Sequence, residues 1–292
     1  MADAGPAPSV GVIVLSQGRR PAELARALAS VMAQRGVHTD VVVVGNGWQP
    51  DGLPAGVASL ALPQNVGIPA GRNAGVPEVR GELLLFLDDD AALADRSFLA
   101  DAVRRFDDPS LGLLQPRVDT AGGEEPPRRW TPRLRVGDRH RSSAVFSVWE
   151  GAVVVRRAAF AAAGGWAAPF FYAHEGIELA WRVWDVGYEV RYAGDLAATH
   201  PLTRVTRHAD FFRLNARNRV WLARRNLPWV FAAPYLLSWT ALQVVRSARQ
   251  PRTLVPWWAG WLEGWQTDPG GRRRLRWTTI ARMVRHGRPP IV

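Results

Sequence analysis

The run ELLLFLDDDAAL (82–93) ends a buried-looking apolar stretch with Asp88, Asp89 and Asp90 side by side. Adjacent carboxylates repel one another unless something positive sits among them. Along a strand, alternate side chains share a face, so Asp88 and Asp90 converge while Asp89 points elsewhere. Oxygen-rich pairs of this kind suit Mg2+ or Mn2+, which one or two carboxylates hold together with the phosphates of a bound ligand. The other reading is a polar turn that caps the next helix. The triplet's place at the carboxyl end of a strand, where open α/β sheets gather ligands, favours the metal.

The elements around it set that place. SVGVIVLS (9–16), DVVVV (40–44) and LLLFL (83–87) read as strands buried on both faces, because they are apolar without alternation, and ASLALP (58–63) reads as a further strand. Pro21 opens a helix in which Leu24, Leu28, Val31 and Met32 share one face. NVGIPAGRNAGV (65–76) reads as a broken turn leading into a short helix. SFLADAVRRF (97–106) is a helix and LGLLQPRV a strand, followed by an exposed, mobile loop over 119–142, rich in Arg, Gly and Pro. SAVFSVWEGAVVVRRAAFAAAGGW gives a strand and a helix. HEGIELAWRVWDVGYEVRYAG gives a helix with Ile177, Trp181 and Trp184 on one face, then a short strand. The expected fold is α/β, a mostly parallel Rossmann-like sheet flanked by helices, with a helical C-terminal region.

Charge divides the chain. Residues 1–200 hold 20 Arg and 23 acidic residues, whereas residues 201–292 hold 17 Arg and 3 acidic residues. All 37 basic residues are Arg. The last third therefore attracts an anionic partner such as a phospholipid surface, a nucleic acid or a phosphate-bearing substrate. WVFAAPYLLSWTALQVV (229–245) carries no charge but is at the short limit for a spanning helix, and Pro234 interrupts it. VPWWAGWLEGW and GGRRRLRW mix Trp with Arg, which suits attachment to a membrane surface; a helical lid with a solvated basic face is the other reading. The Trp residues cluster with aliphatics and no nucleic-acid recognition module is recognisable, which argues against nucleic acid. With no Cys, neither disulfides nor thiolate chemistry is available. The N-terminus lacks the basic and apolar regions of a signal peptide. The expected organisation is a loose tail over 1–8, a catalytic domain over 9–207 and a basic, Trp-rich region over 208–292.

Taken in order, VGVIVLSQGRRPAELARALASVMAQ, DVVVVGNG, NVGIPAGRNAGV, LLLFLDDDA, GAVVVRRAAFAAAGGW and FFYAHEGIELAWRVWDVGYEV resemble a family 2 glycosyltransferase of GT-A fold over about residues 9–200. The resemblance implies an inverting, metal-dependent transfer from a nucleotide diphospho-sugar, of hexosyl or rhamnosyl type, to a lipid-linked or glycan acceptor in cell-envelope polysaccharide synthesis. It implies a cytoplasmic protein, peripheral at the inner face of the membrane.

Residue by residue, the resemblance places Ser16, Asn46, Asn65, Arg72, Asn73, Asp88 and Asp89 against the nucleotide-sugar, with Gly47 and Gly67 in the matching turns. Asp88 and Asp90 would hold Mn2+ or Mg2+, and His200, in AATHP, matches a position that reaches the metal in some relatives. Arg72 pairs with phosphate or with the aspartates; a purely structural ion pair is the other reading. The catalytic base would be a carboxylate near a helix start. Many members carry it where Gly176 stands here, so the role passes to Glu175, with Glu178 second. Glu175 lies in the first turn, where the helix dipole favours an ionised carboxylate. Glu178 precedes Arg182 by four residues, so an ordinary helical ion pair is equally open. Trp149, Glu150 and His174 would meet the acceptor, although core packing is the commoner fate of Trp and helix capping suits His174. Gly45 departs from a position that is often acidic. Gly45 and Gly176 together support the alternative, a transferase-like scaffold that binds sugar nucleotide or membrane without turnover.

Overall fold

The structure, a computed structural model, describes residues 8–202 and 210–291. Almost all of the expected tail over 1–8, and the boundary at 207/208, lie outside the described residues.

The β-branched run of β1 (Ser9–Ser16) forms the middle of the sheet's parallel half. Helix α1 (Pro21–Met32) carries the chain to β2 (His38–Asn46), which lies parallel beside β1, and β3 (Val57–Leu62) extends the sheet parallel to β2. Helix α2 (Ile68–Gly75) then leads to β4 (Leu83–Asp88), parallel to β1 on its other side. The chain continues through β5 (Ala92–Leu93), α3 (Phe98–Arg105), β6 (Leu111–Thr120), β7 (Ser143–Ala144), β8 (Ala152–Arg156), α4 (Arg157–Ala163), α5 (Glu175–Asp185) and β9 (Glu189–His200). Four helices follow: α6 (Phe211–Asn226), α7 (Trp229–Arg246), α8 (Leu254–Gln266) and α9 (Trp277–Arg285).

The strand order is β3-β2-β1-β4-β8-β6-β9-β5, with β7 beside β9. β1, β2, β3, β4, β6 and β9 run one way, and β5, β7 and β8 run the other. The carboxyl ends of β1, β2, β4 and β9 therefore reach one rim, and Ser16, Asn46, Asp88 and His200 are the residues found there.

Period-two alternation divides each strand between two cores. Val12, Val14, Val43, Leu85 and Leu87 face α1 and α3. Ile13, Val42, Val44, Leu84 and Phe86 face α4, α5 and α6. Leu24, Leu28 and Val31 of α1 are buried as its spacing predicts, whereas Met32 is exposed. The strand after α5 is long, 12 residues, because its first half pairs with β7 and β6 and its second with β5 and β6.

Two expectations need correction. The 119–142 loop is not all surface: Trp130 and Thr131 are buried, and the Gln115 side-chain amide donates to the Trp130 carbonyl at 2.8 Å. Helix α5 does not bury one face alone. Every residue from Glu175 to Asp185 except Ile177 is buried, because α6 covers the side turned away from the sheet. Val220, Trp221, Leu222 and Ala223 of α6 belong to the same core as the sheet. The first C-terminal helix is thus part of the same hydrophobic core as the sheet.

Candidate active site

β4 ends at Asp88, and a tight turn closed by the Ala91 amide donating to the Asp88 carbonyl (3.0 Å) carries Asp89 and Asp90. Asp88 and Asp90 do converge: one carboxylate oxygen from each and one ring nitrogen of His200 lie within 4.8 Å of one another. β9 delivers His200 there through pairing of Thr199 with Ala92, two residues past the triplet. Trp130 and Trp149 pack edge-on against the His200 ring at 5.4 and 5.0 Å and fix its plane. Its Nδ1 lies 2.7 Å from the Pro201 carbonyl, a geometry that makes Nδ1–H the donor. Nε2 then turns a lone pair toward Asp90 Oδ1, only 2.9 Å away, so a proton or a cation must lie between them. Ligands set at right angles on an ion at about 2.1 Å are about 3.0 Å apart. Two carboxylates and an imidazole thus fit a hard divalent cation in both type and spacing.

Asp89 is turned away from this group, as alternation requires. It accepts from Ser16 Oγ at 2.6 Å and pairs with Arg20 Nη2 at 2.5 Å. The other Arg20 nitrogen contacts Asp90 Oδ2. Arg72 Nη2 donates to Asp88 Oδ1 at 2.7 Å. Burial alone would raise the Asp88 carboxyl, but Arg72, His200 and Arg20 outweigh it and hold the group below its ordinary value, so it stays ionised.

A cavity of about 400 Å³ opens beside the aspartates, between the ends of β1 and β2. Ser16, Arg20, Asn65, Gly67, Asp88 and Asp89 line it, together with Phe171 and Tyr172 from the segment before α5. Asn46 also borders it, yet its side chain builds the turn: Nδ2 donates to Asn65 Oδ1 (2.9 Å) and the Gly67 carbonyl (3.2 Å), and Oδ1 accepts from the Val66 amide (2.8 Å). Asn73 lies away from the cavity. Both ends of its amide engage the Trp166 backbone, at 2.8 and 3.0 Å, which corrects its expected donor contact.

Arg20 is the residue that sequence reasoning missed. Its signal was the SQGRRP segment, which puts two arginines between a strand's carboxyl end and a helix start. Gly45 is explained by space: a Cβ there would stand 2.0 Å from the Trp48 carbonyl oxygen, so no acidic side chain fits.

Glu175 begins α5 and is 3% exposed, and Glu150 lies against it. Glu150 Oε1 accepts from the Gly176 amide at 2.8 Å, which caps the helix start. A Cβ on Gly176 would stand 2.4 Å from that same oxygen. The Glu150 carboxylate therefore fills the space that a side chain at 176 would take. Burial, then the charge of Glu150, pushes Glu175 up to about 8, against the pull of Arg72. Burial raises Glu150 as well, again opposed by Arg72. Two carboxylates in one dry site cannot both ionise freely, so they share a proton near neutrality.

Glu178 does not face this group. Its Oε1 receives Arg225 Nε at 2.7 Å and Asn226 Nδ2 at 3.3 Å, with Arg182 at 3.5 Å, and so joins α5 to α6. Its expected second place as base is corrected to a structural one. His174 likewise turns to α6: Nε2 lies 3.1 Å from the Asn215 carbonyl, and burial followed by the charge of Arg219 holds the ring well below its ordinary value. It is a neutral donor to α6, which corrects its expected acceptor contact. Trp149 is half-buried against Trp130 and His200 and serves the metal group's packing.

Phe171, Ala173 and His174 have φ of 63°, 73° and 69°, left-handed values that non-glycine residues seldom adopt. Asn218 of α6, fully buried, restrains this segment: its Nδ2 lies 2.8, 2.7 and 3.0 Å from the carbonyls of Phe170, Tyr172 and Ala173, which share its two N–H donors. Asn218→Ala is expected to lower unfolding stability by about 2–4 kcal/mol, the effect of leaving buried carbonyls unmatched on a strained segment. Denaturant titration checks it; an unchanged midpoint would remove Asn218 from this role.

The Glycosyl transferase family 2 model matches residues 10–162. This chain belongs to glycosyl transferase family 2. The matched stretch holds the aspartates, Arg20, Arg72 and Glu150, and it ends before Glu175. Among curated proteins none matches the transferase significantly. Its fold is similar to that of S. aureus TarS 1-349, at 14% identity and a TM-score of 0.62 over 88% of this chain and 80% of that one. It is also similar to the mannosyltransferase PcManGT from Pyrobaculum calidifontis, solved with GDP-Man and Mn2+, at 18% identity and a TM-score of 0.57 over 97% and 80%. GalNAc-T7, solved with UDP, GalNAc and Mn2+, matches at 14% identity and a TM-score of 0.62 over 98% of this chain and 59% of that one. At such identities the likeness speaks for the GT-A fold.

Proposed function

We propose that the transferase moves a sugar, with inversion, from a nucleotide diphospho-sugar to a hydroxyl of a lipid-linked or glycan acceptor. The observation that carries this reading is the Asp88, Asp90 and His200 group, whose Asp88 lines a cavity edged by Arg20. Neighbours of the same fold, solved with UDP, UDP-GlcNAc or GDP-Man, support a donor of this class. A bound Mn2+ or Mg2+, held by Asp88, Asp90 and His200, would offset the charge that develops on the departing diphosphate.

The chain's own residues do the rest. Asn46 and Asn65 hold the turn over 65–67 that walls the cavity. Ser16 and Arg20 keep Asp89 turned away from the ion-binding pair. Arg72, 2% exposed, donates to Asp88, and its charge also pulls against the rise of Glu150 and Glu175. Glu175 accepts the acceptor hydroxyl's proton, and Glu150 sets its basicity. The inert-scaffold alternative drew on Gly45 and Gly176; the structure supplies a local reason for each, in Trp48 and in Glu150.

Attachment at a membrane's inner face is part of the proposal. No helix among the described residues is long and apolar enough to cross a membrane. Helices α7 to α9 nevertheless expose Val230, Leu237, Val245, Val255, Leu262 and Trp277, each at least half exposed, amid the arginine excess.

A thermal-shift screen tests the donor site. The cognate nucleotide diphospho-sugar is expected to raise Tm only when Mn2+ or Mg2+ is present, by mass action on the folded state. An equal shift in EDTA would overturn the metal-linked site.

A further inference from the structure

A second cavity, of about 300 Å³, shares no lining residue with the first. Its wall is one face of α7: Tyr235, Trp239, Leu242 and Arg246 recur at helical spacing. Trp181 of α5 and Met283 of α9 add apolar surface. Around this floor stand six arginines, Arg128, Arg129, Arg133, Arg219, Arg246 and Arg288, and no acidic residue lines the cavity. Among the described residues, Arg128, Arg133, Arg219, Arg246 and Arg288 have no carboxylate partner. Arg219 lies flat on Trp239, 3.8 Å from the ring centroid, and donates to the Tyr235 hydroxyl at 2.7 Å. Burial, then the charge of Arg128, lowers Arg288. Cationic groups that line one cavity without an acidic residue make a site that an anion completes.

The position relative to the chemistry is fixed by the chain. Ser147 lines the cavity and Glu150 follows three residues later, so the two are at most about 11 Å apart. Ile177, also in the lining, is two residues from Glu175. The opposite face of α7 exposes Val230, Leu237, Val244 and Val245, so one helix separates the arginine cavity from the apolar outer surface.

We infer that this cavity binds the phosphate or diphosphate of the acceptor, an anion carried on an apolar chain of prenyl type. The arginines take the anion, the aromatic floor takes the first carbons of the chain, and the rest of the chain leaves over α7 toward lipid. This rests on the transferase reading for the role of the ligand, but binding can be measured apart from it.

The test uses the full chain in EDTA, where the metal group cannot hold a diphosphate. Quenching of Trp fluorescence reads binding of farnesyl diphosphate, farnesol and inorganic pyrophosphate. Farnesyl diphosphate is expected to bind more tightly than either fragment. Arg219→Ala is expected to weaken it about tenfold, the effect of one lost charge-assisted hydrogen bond. Arg246→Glu, at an exposed rim position, is expected to weaken it at least as much without touching the fold. Equal binding by wild type and both variants would overturn the site. Pyrophosphate binding as tightly as farnesyl diphosphate would overturn the lipid assignment, since a free anion would then suffice. A parallel titration with donor and Mn2+ separates the two readings: if that shift is missing while farnesyl diphosphate still binds, the transferase reading fails and the cavity stands.

Discussion

Glu175→Gln is expected to lower kcat by about 10²–10⁴, the usual contribution of a positioned general base, while making the folded protein more stable at neutral and alkaline pH. The two effects have one cause. Glu175 sits where burial and Glu150 push its carboxyl up to about 8. In the unfolded chain the same group titrates near its ordinary value of 4.5. Between those values the folded state holds a proton that the unfolded state has lost, so stability falls as pH rises, by about 1.4 kcal/mol per pH unit. Glutamine holds no such proton and removes the slope. The advantage of the variant should therefore be absent below pH 4.5 and widen up to about pH 8. Activity runs the other way, because the base works only when ionised, so the wild-type rate should climb through the same window. Glu150→Gln removes a neighbouring charge and should move that climb to lower pH. Rates and denaturant unfolding measured from pH 5 to 9 check all of this. A Glu175→Gln enzyme with full kcat would take the base role away from Glu175.

β1, β2 and β4 were legible because they are apolar runs, and a strand buried on both faces has no other signature; β3, at the sheet's edge, buries no residue. The convergence of Asp88 and Asp90 was legible because alternate residues of a strand share a face, whereas His200 was reached only through the family resemblance. What the sequence hid was mostly long-range contact. Nothing local to HEGIEL indicates that Glu178 meets Arg225 and Asn226, some 47 residues away, while Glu175 meets Glu150. Gly176 read as a missing carboxylate because the oxygen that fills its space comes from Glu150, on another segment. Asn73 failed for a similar reason, since its partner is a backbone 93 residues distant. The basic, Trp-rich C-terminus read as an appendage because composition averages over helices with different fates. α6 is core, whereas α7 and α8 expose their apolar faces.

Asp90→Asn should abolish the Mn2+-dependent Tm shift by donor and lower kcat/KM by about 10³ or more, given the several kcal/mol that a bound cation lends to a charged transition state. The charge balance of the rim explains why one substitution suffices. Asp88, Asp89 and Asp90 bring three negative charges, and Arg20 and Arg72 neutralise two of them. One negative charge remains to draw in a divalent cation, whose surplus then faces the diphosphate. Asparagine at 90 cancels that remaining charge and replaces a ligand oxygen that stands 2.9 Å from His200 Nε2. Asp89→Asn removes the same formal charge but not a ligand, since Asp89 is turned to Ser16 and Arg20. It should keep the metal-dependent shift at higher Mn2+, whereas Asp90→Asn should not recover it at any concentration. His200→Ala falls between them, needing about 10–100-fold more metal for the same shift. If Asp89→Asn and Asp90→Asn prove equally impaired at saturating Mn2+, charge alone governs the site and the assignment of Asp90 as a ligand is wrong.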